Sequence, residues 1–152
     1  FSPLHDAIIE IGAVKVSNGE IADHYSVFVN PQRPIPLRIT ELTSIDDVMV
    51  ADAGTIEEIL PEFLEFCEGC SLVAHNAEFD VSFIEENAKR QGFTTDFTVL
   101  DTVQMARLLL TDLNKFKLNT VCKRLNIKQE HHHRAVDDAR VTAEVFFVCG
   151  NA

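Results

Sequence analysis

The sequence predicts an α/β fold with a central mixed β-sheet flanked by helices. Two runs rich in β-branched residues, at 7–16 and 21–29, lie on either side of Asn18-Gly19. An Asn-Gly pair between two strand-like runs is the strongest short-range signal for a β-hairpin. After the hairpin, short apolar runs alternate with amphipathic segments of helical period. An antiparallel hairpin followed by alternating strands and helices favours a mixed sheet with helices packed on it.

The remaining elements follow from periodicity and from start and stop signals. They are helical turns at 37–50, a helix from 55 to about 67, a strand at 71–74, a helix at 77–90, a strand at 97–100, and helices at 102–110, at 118–125 and from 134. Thr55 and Glu58 have the spacing of a capping box, and Gly92 is placed to end the helix at 77–90. Asp101 joins a strand to a helix, where an N-cap is favoured over a metal ligand.

The length of the chain and its apolar runs restrict the class of protein. At 152 residues the chain suits a single domain with a real core, and we find neither a signal peptide nor an apolar run that could span a bilayer. These features predict a cytoplasmic protein without a membrane partner. The chain opens with Phe1 and enters a strand-like run almost at once, so we expect it to be a fragment of a longer protein.

The net charge of -11 argues against strong DNA affinity by itself. The charge is unevenly distributed, however. No Lys or Arg lies between Arg38 and Lys89, whereas the stretch from Lys115 to Arg134 carries six cations against the single acid Glu130. A weak, local surface that steers phosphates is therefore expected from this basic stretch.

His133 and Asp138 form the main candidate site. They lie five positions apart at a predicted junction between a loop and a helix. A neutral imidazole can take a proton from water near neutral pH, and a carboxylate can hold a hard cation. Asp80, near the start of a helix that follows a strand, is the candidate for a second carboxylate. On these residues alone, metal-assisted phosphodiester hydrolysis and a purely structural role both remain open, since acids in a first helical turn often interact only with the helix dipole.

Two segments carry a resemblance to a known family. Residues 75–83 resemble the second motif, and residues 133–139 the HxAxxDA third motif, of the DEDDh 3′→5′ exonucleases. Three shorter segments, at 8–14, 41–45 and 100–102, also occur in family order, so the resemblance covers nearly the whole chain. Within the family, residues 118–123 and 132–135 are most similar to the proofreading exonuclease domain of PolC-type bacterial DNA polymerase III.

This resemblance implies a ribonuclease H-like fold and a two-metal-ion 3′→5′ exonuclease. Asp80 and Asp138 would hold two divalent cations, Mg²⁺ or Mn²⁺, and His133 would be the general base. The residues implied to contact the substrate are Leu42, Thr43, His75, Asn76 and Phe79. The implied substrate is a single-stranded or frayed DNA 3′ end, and the implied partner is the rest of a replicative DNA polymerase.

The sequence departs from the family pattern at the first motif. The strand that carries Asp-x-Glu is not found in residues 1–152, so we expect a single exonuclease domain that lacks this N-terminal strand and is nearly inactive alone. A second departure is Ser44, where relatives usually have Gly. Two alternatives remain open: a non-catalytic ribonuclease H-like docking module, and an exonuclease of the same family that acts on RNA.

Overall fold

The computed structural model describes residues 6–130 and 134–150 and has the predicted α/β architecture. Its elements, in order, are β1 (Glu10–Ser17), β2 (Glu20–Phe28), α1 (Leu37–Thr43), α2 (Asp47–Val50), α3 (Ile56–Phe66), β3 (Leu72–Ala74), α4 (Ala77–Arg90), β4 (Val99–Asp101), α5 (Thr102–Leu109), α6 (Leu118–Arg124) and α7 (Ala135–Gly150). Each lies within a few residues of its predicted position. Within the described ranges, none of the helices has the length and apolar character that crossing a bilayer requires.

The first two strands form the predicted hairpin. They pair antiparallel from Glu10 opposite Phe28 to Ser17 opposite Glu20. Both turn residues adopt positive φ angles, 54° at Asn18 and 75° at Gly19. A two-residue turn of this kind matches the right-handed twist of the strands, which is why the Asn-Gly pair predicted it correctly.

The other two strands form a second, parallel pair. Leu72 lies opposite Val99, and Ala74 lies opposite Asp101. The described strands therefore make two separate two-stranded sheets, whereas the sequence predicted one mixed sheet. Helix α7 packs against strands of both sheets and so connects them. No described strand pairs with the second edge of β1 or of β3.

Three apolar clusters hold these elements together. The first joins the hairpin to α3 and α4 through Ile11, Val29, Ile59, Leu60, Phe63, Cys67 and Ala88. The second joins α5, α6 and α7 through Ala106, Leu110, Val121, Cys122, Val141, Val145 and Cys149. The third lies beneath α1 and α2 and contains Ile35, Ile45 and Val50, with Phe28 of β2 packed against it.

Helix α3 begins where the sequence predicts, but the expected capping box does not form. The Thr55 hydroxyl donates to Glu58 Oε1 at 3.2 Å, and the Thr55 side chain accepts no hydrogen bond from a backbone N–H of the helix. The two side chains that would each bond a backbone N–H in a capping box bond each other instead.

Candidate active site

The turn between β3 and α4 positions the second-motif residues. Asn76 occupies it with a φ of 65°, a left-handed conformation that Asn tolerates better than most residues. Helix α4 then begins at Ala77, so that Asp80 lies in its first turn. The carboxyl end of a parallel strand followed by a helix N-terminus is where α/β proteins commonly place a ligand.

Asp101 fixes this turn from the neighbouring strand. It is the N-cap of α5, as predicted, because its Oδ1 accepts a hydrogen bond from Val103 N at 2.9 Å. The same carboxylate also accepts from Asn76 N at 3.0 Å and from Ala77 N at 2.9 Å. One side chain therefore ties the start of α5 to the start of α4. The sequence indicated the cap but not the second pair of bonds.

Both ring nitrogens of His75 form hydrogen bonds within the protein. Its Nε2 hydrogen-bonds the carbonyl oxygen of Phe116, and because a carbonyl can only accept, Nε2 carries the proton. Nδ1 lies 2.8 Å from the Thr102 hydroxyl, which donates to it. Burial lowers the pKa of His75 and so favours the neutral ring. The hydrogen bond to Phe116 and the charge of Asp101 raise the pKa, but their effects are smaller than that of burial. Both nitrogens are thus bonded within the protein, and any contact with a substrate would involve the ring carbons.

The structure brings Asp80 and Asp138 into electrostatic contact from different helices. Asp80 keeps access to solvent, but nearby protein atoms remove part of its hydration, and this desolvation is the largest cause of a pKa raised to about 6. The negative charges of Asp101 and then Asp138 raise the pKa of Asp80 further. The charges of Asp101 and Asp138 thus act on Asp80, although the three residues are far apart in the sequence.

Carboxylate oxygens are the donors that Mg²⁺ and Mn²⁺ prefer, and closely spaced acids are stabilised by a cation between them. Asp80 and Asp138 are therefore chemically suited to such an ion. Across residues 6–130 and 134–150, however, no three His, Cys, Asp or Glu side chains are grouped so that they could hold a metal. These two residues thus supply only part of a donor set. His133, the predicted general base, lies outside the described residues.

Two of the predicted substrate-contacting residues are exposed apolar side chains on different helices. Leu42 is 48% exposed on α1, and Phe79 is 43% exposed on α4 with its ring centroid 5.1 Å from that of Phe83. The Thr43 hydroxyl donates to the carbonyl oxygen of Ile39 at 2.8 Å and accepts from Ile45 N at 3.2 Å. These bonds shape the end of α1 beneath Leu42.

Ser44 ends α1 with a φ of 64°. Glycine is the usual residue for this left-handed conformation at a helix end. Having serine instead of glycine at this position therefore strains the backbone.

Sequence reasoning gave no role to Glu10, a residue of β1. Its carboxylate forms an ion pair with Arg134, the residue that precedes α7. The two positions are separated by almost the whole chain, so that no local sequence signal could have paired them.

With this geometry in place, comparison with known proteins identifies the class. The profile of the exonuclease family, RNase T, matches residues 1–146. The chain therefore belongs to the exonuclease family, and it forms an exonuclease domain.

Two similar sequences belong to one group within this family. The DNA polymerase III PolC-type proteins of Caldanaerobacter subterraneus subsp. tengcongensis and of Clostridium perfringens are each 56% identical over 145 residues, which is 95% of this chain and 10% of theirs. The chain thus spans about a tenth of the length of these relatives. The resemblance to this group that the sequence indicated is confirmed.

Solved structures show the same fold. Exonuclease X, in complex with 5′ overhanging duplex DNA, is 29% identical, with a TM-score of 0.77 over 99% of this chain and 87% of that one. The nuclease domain of 3′hExo, described as a DEDDh family member and bound to rAMP, is 17% identical, with a TM-score of 0.82 over 94% of this chain and 80% of that one. The ribonuclease H-like fold of the DEDDh exonucleases, expected from the motifs, is therefore confirmed.

Proposed function

We propose that this domain removes nucleotides one at a time from DNA 3′ ends and proofreads for a bacterial replicative DNA polymerase. The observation that carries the proposal is the electrostatic interaction between Asp80, in the first turn of α4, and Asp138, in a chain of the exonuclease family. Its partner would be the rest of a polymerase resembling the PolC-type relatives, and its location the cytoplasm.

Asp80 and Asp138 are proposed to hold two divalent cations, Mg²⁺ or Mn²⁺. When bound, the cations would stabilise the charge on the attacking and leaving oxygens of the phosphodiester. His133 is proposed to take the proton of the attacking water, a task that suits a group titrating near neutral pH. Asp101 holds the backbone from which Asp80 projects.

Leu42 and Thr43 are proposed to pack on the 3′-terminal nucleotide, and His75, Asn76 and Phe79 to line the path of the strand. Leu42 and Phe79 are exposed apolar side chains, and an aromatic ring such as that of Phe79 can stack on any base. Asn76, three residues before Phe79, offers a polar side chain, while both ring nitrogens of His75 are bonded to Thr102 and Phe116. Sequence-independent packing of this kind suits an enzyme that must remove every type of nucleotide.

Two further carboxylates are proposed to complete the site, on an additional strand that carries Asp-x-Glu and is not among these 152 residues. Two observations support this proposal. The described residues contain no complete metal cluster, and β1 and β3 each have an edge that no described strand occupies. A chain extended upstream to include such a strand is called the extended protein below.

The test is an assay with 3′-labelled single-stranded DNA and Mn²⁺. We expect the extended protein to shorten the strand from its 3′ end, the 152-residue chain to be nearly inactive, and Asp138→Ala to abolish activity in the extended protein. Asp112→Asn is the control, because Asp112 lies in an exposed ion pair with Arg124. If the extended protein leaves the DNA intact, the proposed function is wrong.

The two alternatives are outcomes of the same test. A docking module would bind no Mn²⁺ in calorimetric titration, whereas binding that Asp138→Ala abolishes supports the enzyme. A matched RNA strand tests for a ribonuclease. We expect DNA to be preferred, since Exonuclease X, the solved structure with 29% identity, was bound to DNA.

A further inference from the structure

We infer that Glu10 is a positioning residue for the active site, because it anchors the amino end of α7 and thereby sets the location of Asp138. The inference rests on the proposed function, since it concerns the residue proposed there as a metal ligand. The anchoring itself can be measured without any activity.

The first observation is the contact geometry of the Glu10 carboxylate. Its Oε2 accepts from Arg134 Nη2 at 2.8 Å and from Nε at 3.2 Å. Its Oε1 accepts from Arg134 Nε at 3.3 Å and from Ala135 N at 2.8 Å. The side chain of Glu10 is only 6% exposed. Both oxygens are thus bonded to the start of α7, which leaves Glu10 unsuited to be a metal ligand and well placed to orient the helix.

The hairpin supports this ion pair from a second strand. Phe28 lies directly opposite Glu10 in the β1–β2 register. The guanidinium carbon of Arg134 lies 5.3 Å from the centroid of the Phe28 ring, within the range of a cation–π interaction. Phe28 also packs against the apolar cluster beneath α1 and α2. The guanidinium is therefore held by two neighbouring residues of one rigid hairpin, a geometry that lysine could not reproduce.

The close approach of α7 to β1 is a further, independent observation. Gly12 is two residues beyond Glu10 and so faces the same side of the strand. A Cβ atom at Gly12 would lie 2.2 Å from Val136 N and 2.4 Å from the carbonyl carbon of Ala135. The first turn of α7 thus lies directly on the backbone of β1, beside the Glu10 contact.

A backbone hydrogen bond connects this anchor to the site. Asp138 N donates to the carbonyl oxygen of Arg134 at 3.0 Å, the first helical bond of α7. Arg134 also follows His133 directly in the chain. Fixing Arg134 therefore fixes the backbone of Asp138.

The experiment compares Glu10→Gln and Arg134→Lys with the wild type in the extended protein. Glu10→Gln keeps a carbonyl acceptor for Ala135 N but removes the charge, and Arg134→Lys keeps the charge but removes the paired hydrogen bonds. Each is expected to lower kcat about tenfold or more, to weaken Mn²⁺ binding about tenfold, and to change KM less than about twofold. Asp112→Asn, which removes an exposed 2.7 Å ion pair, should leave kcat, Mn²⁺ binding and KM unchanged.

Hydrogen exchange separates positioning from general stability. We expect Glu10→Gln to accelerate exchange at the amides of residues 135–138 and to leave those of α3 unchanged. Equal acceleration in both helices would mean that Glu10 only stabilises the fold, and the inference would be wrong. It would also be wrong if both variants kept the wild-type kcat, Mn²⁺ affinity and exchange rates.

The design distinguishes this failure from that of the proposed function. An inactive wild-type extended protein would overturn the proposed function, while the exchange rates at 135–138 would still decide whether Glu10 anchors α7. If Glu10→Gln does not fold, Arg134→Lys provides the same readouts, because it preserves a positive partner for the buried carboxylate.

Discussion

At the scale of single residues, the chemistry of the site depends on carboxylates with different surroundings. Asp80 is partly desolvated and faces two negative neighbours, whereas Asp101 receives three backbone N–H groups. Like charges without a counter-ion are unfavourable, and hydrogen bonds to N–H groups stabilise a negative charge. Asp80 is thus suited to bind a cation, and Asp101 to hold the backbone.

The first prediction concerns the pH dependence of stability. The pKa of Asp80 is about 6 in the folded protein, against an ordinary value of 3.8. The folded state therefore binds more protons than the unfolded state between these values, and stability falls as the pH rises through the window. The side chain in Asp80→Asn cannot ionise. We therefore expect the Tm of this variant minus the Tm of wild type to increase between about pH 4 and about pH 7. Solvent access to Asp80 limits the size of this increase.

Thermal melts of the metal-free 152-residue chain across that range provide the measurement. The prediction would be contradicted if the Tm of wild type and the Tm of Asp80→Asn changed in parallel with pH. Adding Mn²⁺ at neutral pH should reduce the difference in Tm between the two proteins by stabilising wild type, because the cation offsets the repulsion among Asp80, Asp101 and Asp138.

The second prediction concerns the Asp101 bonds. Asp101→Asn keeps Oδ1 for Asn76 N and Val103 N but places an amide NH₂ against Ala77 N, which loses its acceptor. We expect a loss of about 1–3 kcal/mol in unfolding free energy, measured by urea denaturation. The control is Asp46→Asn, at the exposed N-cap of α2, where Asn caps as well as Asp. Equal effects at the two positions would show that Asp101 acts only as a cap.

At the scale of elements, the decisive contact is between β1 and the first turn of α7. Helices usually lie on a sheet at a distance set by side chains, but here the strand has no side chain at Gly12. The backbones therefore approach closely, and the contact brings Asp138 into the site from a helix at the other end of the chain.

The third prediction tests this approach. Gly12→Ala would introduce a methyl group 2.2 Å from a backbone nitrogen, and neither backbone can yield as a flexible side chain would. We expect a destabilisation of about 2–3 kcal/mol or more in urea denaturation, together with weaker Mn²⁺ binding. Gly150→Ala is the matched control, because an added Cβ there has nothing within 4 Å. A stable Gly12→Ala protein with unchanged Mn²⁺ affinity would argue against the close packing.

At the scale of the whole molecule, the distribution of charge bears on the proposed binding of DNA. Of the six cations between Lys115 and Arg134, Arg124 pairs with Asp112 and Arg134 pairs with Glu10. The surface that could steer phosphates is thus reduced to four lysines, within a chain of net charge -11. Lys115 and Lys117 flank Phe116, whose carbonyl oxygen accepts a hydrogen bond from His75.

The fourth prediction follows from that placement. Replacing both Lys115 and Lys117 with Gln should raise KM for single-stranded DNA at low salt and leave kcat nearly unchanged, because phosphate contacts affect binding more than chemistry. The slope of log affinity against log salt should flatten by roughly 1 to 1.5. The matched control is Lys15→Gln, on the hairpin, where the ammonium lies over the Phe66 ring. An unchanged salt slope would exclude these lysines from the DNA path.

Local signals in the sequence were sufficient for the elements and their order. Asn18-Gly19 specified the hairpin turn, Gly92 followed the end of α4, and Asp101 marked the start of α5. The motif residues at 75–83 and 133–139 also indicated the family. These features are readable because turn conformation, capping and helical periodicity are decided by residues within a few positions of one another.

Only the tertiary structure decided how these elements meet. Three interactions join residues that are distant in the chain: the ion pair of Glu10 with Arg134, the hydrogen bonds from Asn76 and Ala77 to Asp101, and the electrostatic interaction of Asp80 with Asp138. Such contacts depend on strand order and on how closely α7 can approach β1 at Gly12. The sequence by itself therefore determined which residues are candidates for the chemistry, and the packing of backbone against backbone determined how the elements that carry them meet.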